Sequence, residues 1–303
     1  MPQRERDKMP GWRQDMNLAI LWSLVKESIS RWIDDFAPSM GAALSYYTIF
    51  SIAPLLLIVI AVAGLAFGDA AASGALFEQL RGMLGDEGAA FAQRLVAGAH
   101  EPRTSIFATL VGIVMMILGA TTVLAELQSA LNRIWRAPPE RSGVWTMLRK
   151  RLLSLSLILA IGFLLLVSLA ASAAMAAIGE WGAPYFGRMK WLFEIVNVGV
   201  SLGAVTVLFA MIYKILPRVR IGWKDVWIGA AVTAILFTLG KSLIGLYLGK
   251  SAVASGFGAA GSVVVLLVWV YYSAQIFMLG AEFTVVYARR FGSRKEKLVS
   301  ETH

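Results

Sequence analysis

Long apolar runs alternate with short polar, arginine-rich segments along most of the chain. Six runs stand at about 41–68, 104–126, 152–178, 192–216, 226–248 and 262–287, each long enough for the roughly 20 residues that cross a bilayer core. The first, Gly41–Gly68 (GAALSYYTIFSIAPLLLIVIAVAGLAFG), contains no Asp, Glu, Lys, Arg or His. In lipid a helix satisfies every backbone group of such a run internally. The pattern predicts an all-α integral membrane bundle of six transmembrane helices over residues 38–290. Pro54 sits in the middle of the first run, removes one backbone hydrogen bond and predicts a kink with freed carbonyls.

The segments between runs carry their own patterns. Leu18, Leu21, Trp22, Val25, Ile29, Trp32, Ile33 and Phe36 repeat at helical spacing, with Lys26, Glu27, Ser30, Arg31 and Asp34 on the other side. This predicts an amphipathic helix over 17–37, lying in the membrane interface with Trp22 and Trp32 as anchors. The ordinary alternative is a helix docked on the bundle. Residues 1–16 are polar and mixed in charge, and read as a disordered cytoplasmic lead without a cleavable signal. In 69–103, Phe77, Leu80 and Leu84, then Phe91 and Leu95, predict two short amphipathic helices separated by Gly85-Asp86-Glu87-Gly88. The glycine-rich loop 249–261 permits tight turns. Gly199/Gly203, Gly245/Gly249 and the small residues of Ser168–Ala177 suit close helix packing.

Composition sharpens this reading. Hydrophobic residues make up 58% of the 303, charged residues 16%, and mean hydropathy is +0.68. Soluble domains carry about 25% charged residues. The net charge of +9 has a topological cause. Twenty of the 28 Lys and Arg fall in the N-terminus, the loops 127–151 and 217–225 and the tail, and six fall on the opposite side. The positive-inside rule therefore predicts cytoplasmic N- and C-termini, with 291–303 a basic cytoplasmic tail. The same placement leaves no basic groove for nucleic acid. The absence of cysteine excludes disulfide and thiolate chemistry.

Ionisable residues within spans are functional candidates by default. Glu126 ends the second run, Glu282 lies late in the sixth and Lys214 ends the fourth, all near the inner boundary. Lys241 falls some 22 Å up its span, at about 1.5 Å per residue. The functional reading is a polar crevice, with Lys241 meeting an anion and Glu126 and Glu282 gating the cytoplasmic mouth. Tyr271, Gln275 and Glu282 share one helical stripe. The ordinary readings stand beside it: boundary glutamates paired with Lys214 or nearby arginines, Lys241 snorkelling, Gln275 and Tyr271 bonding between helices, and Pro54 a tolerated kink. The basic clusters at Arg149–Arg151 and Arg289–Lys297 read as topogenic. No GxxxxGK[ST] motif is present, so the chain does not hydrolyse ATP through a P-loop.

AALSYYTIFSIAPLLLIV in the first run, LNRIWRAP after the second, LPRVRIGWKDVWIGA between the fourth and fifth, and LLVWVYYSAQIFMLGAEFTVVYARR in the last resemble the YihY/BrkB family of bacterial inner-membrane proteins. The resemblance runs from about residue 30 to 290. It implies a six-helix inner-membrane protein connected with envelope properties or movement of lipid precursors. The family also carries an older ribonuclease label. A metal-dependent nuclease needs clustered His and carboxylate ligands, whereas this chain has only His100 and His303, neither with a ligand-spaced partner. That label is set aside. The expectation is a non-enzymatic, transporter-like protein without metal or cofactor, moving or exchanging a lipid or amphipathic anion. Its expected partners are membrane lipids, that substrate, a second copy or envelope proteins, and no nucleic acid. The alternative is a scaffold of an envelope-assembly complex. A membrane-embedded hydrolase using Glu126 and Glu282 as acid and base ranks third.

Overall fold

The apolar stripe that begins at Leu18 does not run straight into the first long hydrophobic run. Helix α1 (Leu18–Asp34) stops, and α2 (Ala37–Phe67) starts, on either side of Phe36, whose φ of 58° places it in the left-handed region. Pro38 then occupies the first turn of α2, where its missing N–H leaves no intrahelical bond unmade. These features come from a computed structural model that describes residues 18–99, 106–139, most of 143–167, 190–250 and 261–295. The predicted lead 1–16, His100, His303, Ser168–Ala177 and nearly all of loop 249–261 lie outside the described residues.

Gly68 (φ 82°) ends α2, and its N–H bonds the Gly64 carbonyl at 2.8 Å. Helix α3 (Asp69–Ala99) follows at once. Two short helices are predicted here; the structure joins them into one helical stretch of 31 residues. It is not straight. Ser73 and Phe77 from its first half and Gln93, Val96 and Ala97 from its second line one cavity of about 470 Å³, facing Leu57 and Ile60 of α2. A straight helix would hold Ser73 and Gln93 roughly 30 Å apart, so the two halves fold back on each other. Glycines weaken a helix by about 1 kcal/mol each, and two of them stand at Gly85 and Gly88, between the halves. Tertiary packing of Leu76, Phe77, Ala92 and Val96 on Ile52 and Leu56 holds both halves in place.

The remaining elements are α4 (Ile106–Ile134), α5 (Arg151–Leu164), α6 (Lys190–Ile215), α7 (Trp223–Lys250) and α8 (Gly261–Arg290). Five helices, α2, α4, α6, α7 and α8, are long and apolar enough to cross a membrane. The third predicted run is helical over Arg151–Leu164, and its second half lies outside the described residues. The described part thus holds five candidate spans where six are predicted. Side chains such as Phe50, Met115, Leu239 and Leu243 project outward from these helices, an apolar surface suited to lipid and not to water.

The centre of the bundle is the seam between α7 and α8. Thr233 bonds the Gly229 carbonyl of its own helix at 2.7 Å, and Thr284 bonds the Gly280 carbonyl of its own at 2.7 Å. Each threonine fills the space left by the missing Cβ of the other helix's glycine. The buried hydroxyl of Tyr213 on α6 donates to the Phe277 carbonyl at 2.7 Å and lies 3.0 Å from Thr233 Oγ1. In lipid no hydrophobic force drives helices together, so close contacts and hydrogen bonds of this kind carry the packing. Among the described residues no atom lies within 4 Å of a Cβ built at Gly199 or Gly203. Pro54 packs on α4: a Cβ at Gly119 would stand 3.0 Å from its Cγ and 3.8 Å from the Phe50 carbonyl that proline leaves unbonded. The freed carbonyl therefore faces a helix contact and not a crevice.

Candidate functional site

Three helix ends meet at one end of the bundle, and polar ties fix them there. Buried Asp225, in the first turn of α7, accepts the Ser293 N–H at 2.9 Å and its hydroxyl at 2.6 Å. Asn132 Oδ1 accepts the Arg218 N–H at 2.9 Å, and Gln128 donates to the Leu216 carbonyl at 2.7 Å. These bonds join the end of α4, the α6–α7 loop and the segment after α8. Helix α1 lies on α8 through Leu24, Phe283 and Val286, and Arg290 donates to Ser23 Oγ at 2.6 Å.

The site forms where the α1–α2 elbow reaches this junction. After α4 the chain turns at Arg136, whose φ is 50°, and Ala137 N–H closes on the Asn132 carbonyl at 2.8 Å. Glycine usually takes such a left-handed position after a helix; here an arginine does, and Pro138 and Pro139 prevent the helix from continuing. The turn aims the Arg136 guanidinium at Asp35, which accepts it at 3.0 Å. Asp35 is buried while Arg136 is largely exposed, so the pair resembles a half-desolvated bridge more than a surface one.

Glu282 of α8 stands against this pair. Its side chain is fully enclosed, and its hydrogen-bond partner among the described residues is a second carboxyl, Asp35, a bond that needs one of the two acids protonated. Arg31 and Arg136 are the cations that act on it. Arg289, two turns further along α8, is surrounded by Arg31, Arg136, Arg294 and Glu282. Two buried carboxyls that share one proton are expensive and rare. They mark a place where the bundle forgoes stability.

Of the sequence candidates, Glu282, Gln275 and Tyr271 come together along the α2–α8 seam. Gln275 Nε2 reaches the Ala37 carbonyl at 3.4 Å, its Oε1 is buried without a partner, and Tyr271 flanks Gly41. Gln275 thus makes an interhelical bond while retaining an unmet acceptor. Lys241 is not brought to Glu282. Gly240 packs on Tyr272 and Ile276, about ten residues of α8, or roughly 15 Å, from Glu282. Lys241 is half-buried and forms no hydrogen bond or ion pair among the described residues. Glu126 is likewise half-buried, ten residues of chain before Arg136. Lys214 does not pair with it: its ammonium donates to the Ile221 carbonyl and lies over the Trp223 ring at 5.0 Å. Lys241 is therefore separated from Glu282, which lies in the polar junction.

Two groups of residues escape sequence reasoning. One is the junction itself: Asp35 stands out in no sequence pattern, and Arg31, Arg136, Arg289 and Arg294 read as topogenic charge. The other is Arg151, which enters the bundle and donates to Thr121 Oγ1 at 2.7 Å and the Leu118 carbonyl at 3.2 Å. No sequence spacing links these positions; only the elbow and the helix ends do. Among the described residues no three His, Cys, Asp or Glu side chains group to hold a metal ion.

A family model described as Virulence factor BrkB matches residues 28–302. The chain is 29% identical over 259 residues to a UPF0761 membrane protein of Pseudomonas aeruginosa, covering 83% of this chain and 59% of the relative. A UPF0761 membrane protein of Ralstonia nicotianae is 26% identical over 276 residues, covering 88% and 58%. One from an Enterobacter species is 32% identical over 200 residues, covering 64% and 63%. The matched region thus spans less than two thirds of each of these relatives. No solved structure matches.

Proposed function

We propose, from the premise that this chain belongs to the Virulence factor BrkB family of membrane proteins, that it is a carrier for a lipid or amphipathic anion in a bacterial inner membrane. The observation that carries this reading is Glu282: fully enclosed, bonded to a second carboxyl, Asp35, and set beside the Asp35–Arg136 bridge where α1, α2, α4 and α8 meet. A bundle selected for stability alone places an apolar side chain there. A carrier needs a polar point inside the membrane that exchanges partners as the substrate passes. The surrounding arginines favour a negatively charged head group. The basic end faces the cytoplasm, as the distribution of Lys and Arg favours. Helix α1 lies in that interface, with Leu21, Trp22, Val25 and Ile33 turned away from the bundle toward the lipid.

The same outward face of α1 suits a protein partner, which keeps the scaffold reading in view. Liposomes carrying NBD-labelled phosphatidylglycerol in both leaflets separate the two. Dithionite bleaches the outer label at once and the inner label only if lipid is exchanged. A carrier bleaches both pools, and Glu282→Gln loses the slow phase while Lys241→Met keeps it. Wild-type traces identical to protein-free liposomes would sink the carrier reading for this lipid class and leave the scaffold.

A further inference from the structure

The polar junction carries more positive charge than its own carboxylates answer. Arg31, Arg133, Arg136, Arg289, Arg290 and Arg294 converge from α1, the end of α4 and the end of α8. Their placement is fixed by contacts and not by sequence. Arg31 pairs with Glu27 at 3.4 Å and lies one turn before Asp35, which binds Arg136. Arg133 covers the Phe36 ring at 5.5 Å. Arg294 covers the Trp135 ring at 5.7 Å, and its backbone N–H reaches the Ala288 carbonyl at 3.0 Å, next to Arg289. Facing them are Glu27, Asp34, Asp35, Glu282 and Asp225, the last bonded to Ser293 beside Arg294. Six guanidiniums stand against five carboxyls. Arg289, half-buried among them, makes no hydrogen bond or ion pair to any described residue.

Two further observations fall on the same spot. Phe36 and Arg136 are the non-glycine residues with positive φ among the described residues, and they carry the two turns that bring Asp35 and Arg136 together. Such conformations cost roughly 1–3 kcal/mol each and persist where the surroundings force them, often at ligand sites. Apart from the bond between Asp35 and Glu282, eight buried polar side-chain atoms lack a partner among the described residues. Two of them are the indole nitrogens of Trp32 and Trp135, and three are oxygens of the mutually bonded acids Asp35 and Glu282. Clustered unmet donors and acceptors call for a ligand, ion or water.

We infer that this junction binds a phosphate monoester, held by Arg136, Arg289 and Arg294 with the indole N–H groups of Trp32 and Trp135 as added donors. Its negative charge, about −1.5 to −2 at neutral pH, answers the surplus of arginines over carboxyls. Its three terminal oxygens suit planar guanidinium forks, which bind phosphate bidentately. A carboxylate ligand brings one charge and two oxygens, and leaves more of the set unmet. Asp35 fixes the Arg136 fork. The assignment deepens the carrier reading by naming the head group, and it rests on that reading for the path the ligand takes through the bundle.

The test uses the purified full chain in detergent. Calorimetric titration with dihexanoyl phosphatidic acid, dihexanoyl phosphatidylcholine and inorganic phosphate separates the possible sources. Binding of the phosphatidic acid and not of the choline lipid is expected, weakened roughly tenfold or more by Arg289→Gln. Arg136→Lys should keep the charge and still weaken binding by losing the fork, whereas Arg220→Gln in the nearby loop should change nothing. Inorganic phosphate binding as tightly as the lipid assigns the site to a soluble phosphate; lipid binding alone assigns it to a head group. Equal binding of the choline lipid, or wild-type affinity in both Arg289→Gln and Arg136→Lys with melting temperatures unchanged, overturns the phosphate site. Binding without exchange of NBD-labelled phosphatidic acid in liposomes leaves the site standing and removes the carrier; exchange without binding does the reverse.

Discussion

Replacing Glu282 with methionine is expected to make the protein more stable. The carboxyl is fully enclosed, and its hydrogen-bond partner is a second carboxyl, Asp35. Apolar replacement of buried ionic groups is often neutral or stabilising by about 1–4 kcal/mol, and the lost bond to Asp35 costs about 1 kcal/mol of that gain. The nearby charges act in opposite directions, Asp35 repelling a carboxylate and Arg31 and Arg136 attracting it. Burial of the carboxyl therefore dominates, and methionine fills nearly the same volume. A gain of about 1 kcal/mol follows. It can be read as a higher melting temperature in detergent, followed by the fluorescence of the ten tryptophans. Glutamine at the same position keeps a buried amide, so its gain should be smaller. Loss of lipid exchange together with a rise in stability is the signature of a residue kept for function at the expense of stability. A melting temperature that falls in Glu282→Met refutes the argument, because it means the bond to Asp35 outweighs burial and the carboxyl serves the fold.

Three further outcomes test the surrounding structure. Gly280→Ala places a methyl group 2.8 Å from Tyr213 Oη and from Thr233 Cβ, and should destabilise the α7–α8 seam by about 1–3 kcal/mol; Gly199→Ala, which meets no described atom, is the control in the same melting assay. Tyr213→Phe removes the hydroxyl shared with Thr233 and the Phe277 carbonyl and should cost about 1 kcal/mol in the melt, with exchange activity retained. Arg136→Gly and Arg136→Ala both lose the Asp35 bridge, but glycine relieves the positive φ of 50°. The glycine variant should therefore melt as the more stable of the two by about 1 kcal/mol, and equal melts would show that the turn is not strained.

The candidate site was legible in one residue and hidden in the rest. Glu282 stands out in sequence because a carboxylate inside an apolar run has no cheap explanation. Tyr271 and Gln275 follow from it by helical spacing alone. Lys241 stands out for the same reason, yet depth along one helix does not determine which neighbour it meets, and antiparallel packing of α7 on α8 places it level with Tyr272. The arginines could not be separated from topogenic charge, since 101 positions separate Asp35 from Arg136 and 247 (282 − 35) separate Asp35 from Glu282, groups that end up side by side.

Hydrophobic period and length by themselves fixed the class of the molecule. A run such as Gly41–Gly68 has no stable arrangement in lipid other than a helix, whatever surrounds it, because its backbone groups find no other partners there. The amphipathic stripe of α1 and the glycines that divide α3 were equally local and equally readable. Which faces touch was decided only in three dimensions. Nearly every face of these helices is apolar, so hydrophobicity cannot choose among them, and the choice fell to a few close approaches: Gly229 under Thr284, Gly280 under Thr233, Gly41 beside Gln275. Those contacts set the levels of the helix ends, and the levels brought Asp35, Arg136, Arg289 and Glu282 to one place.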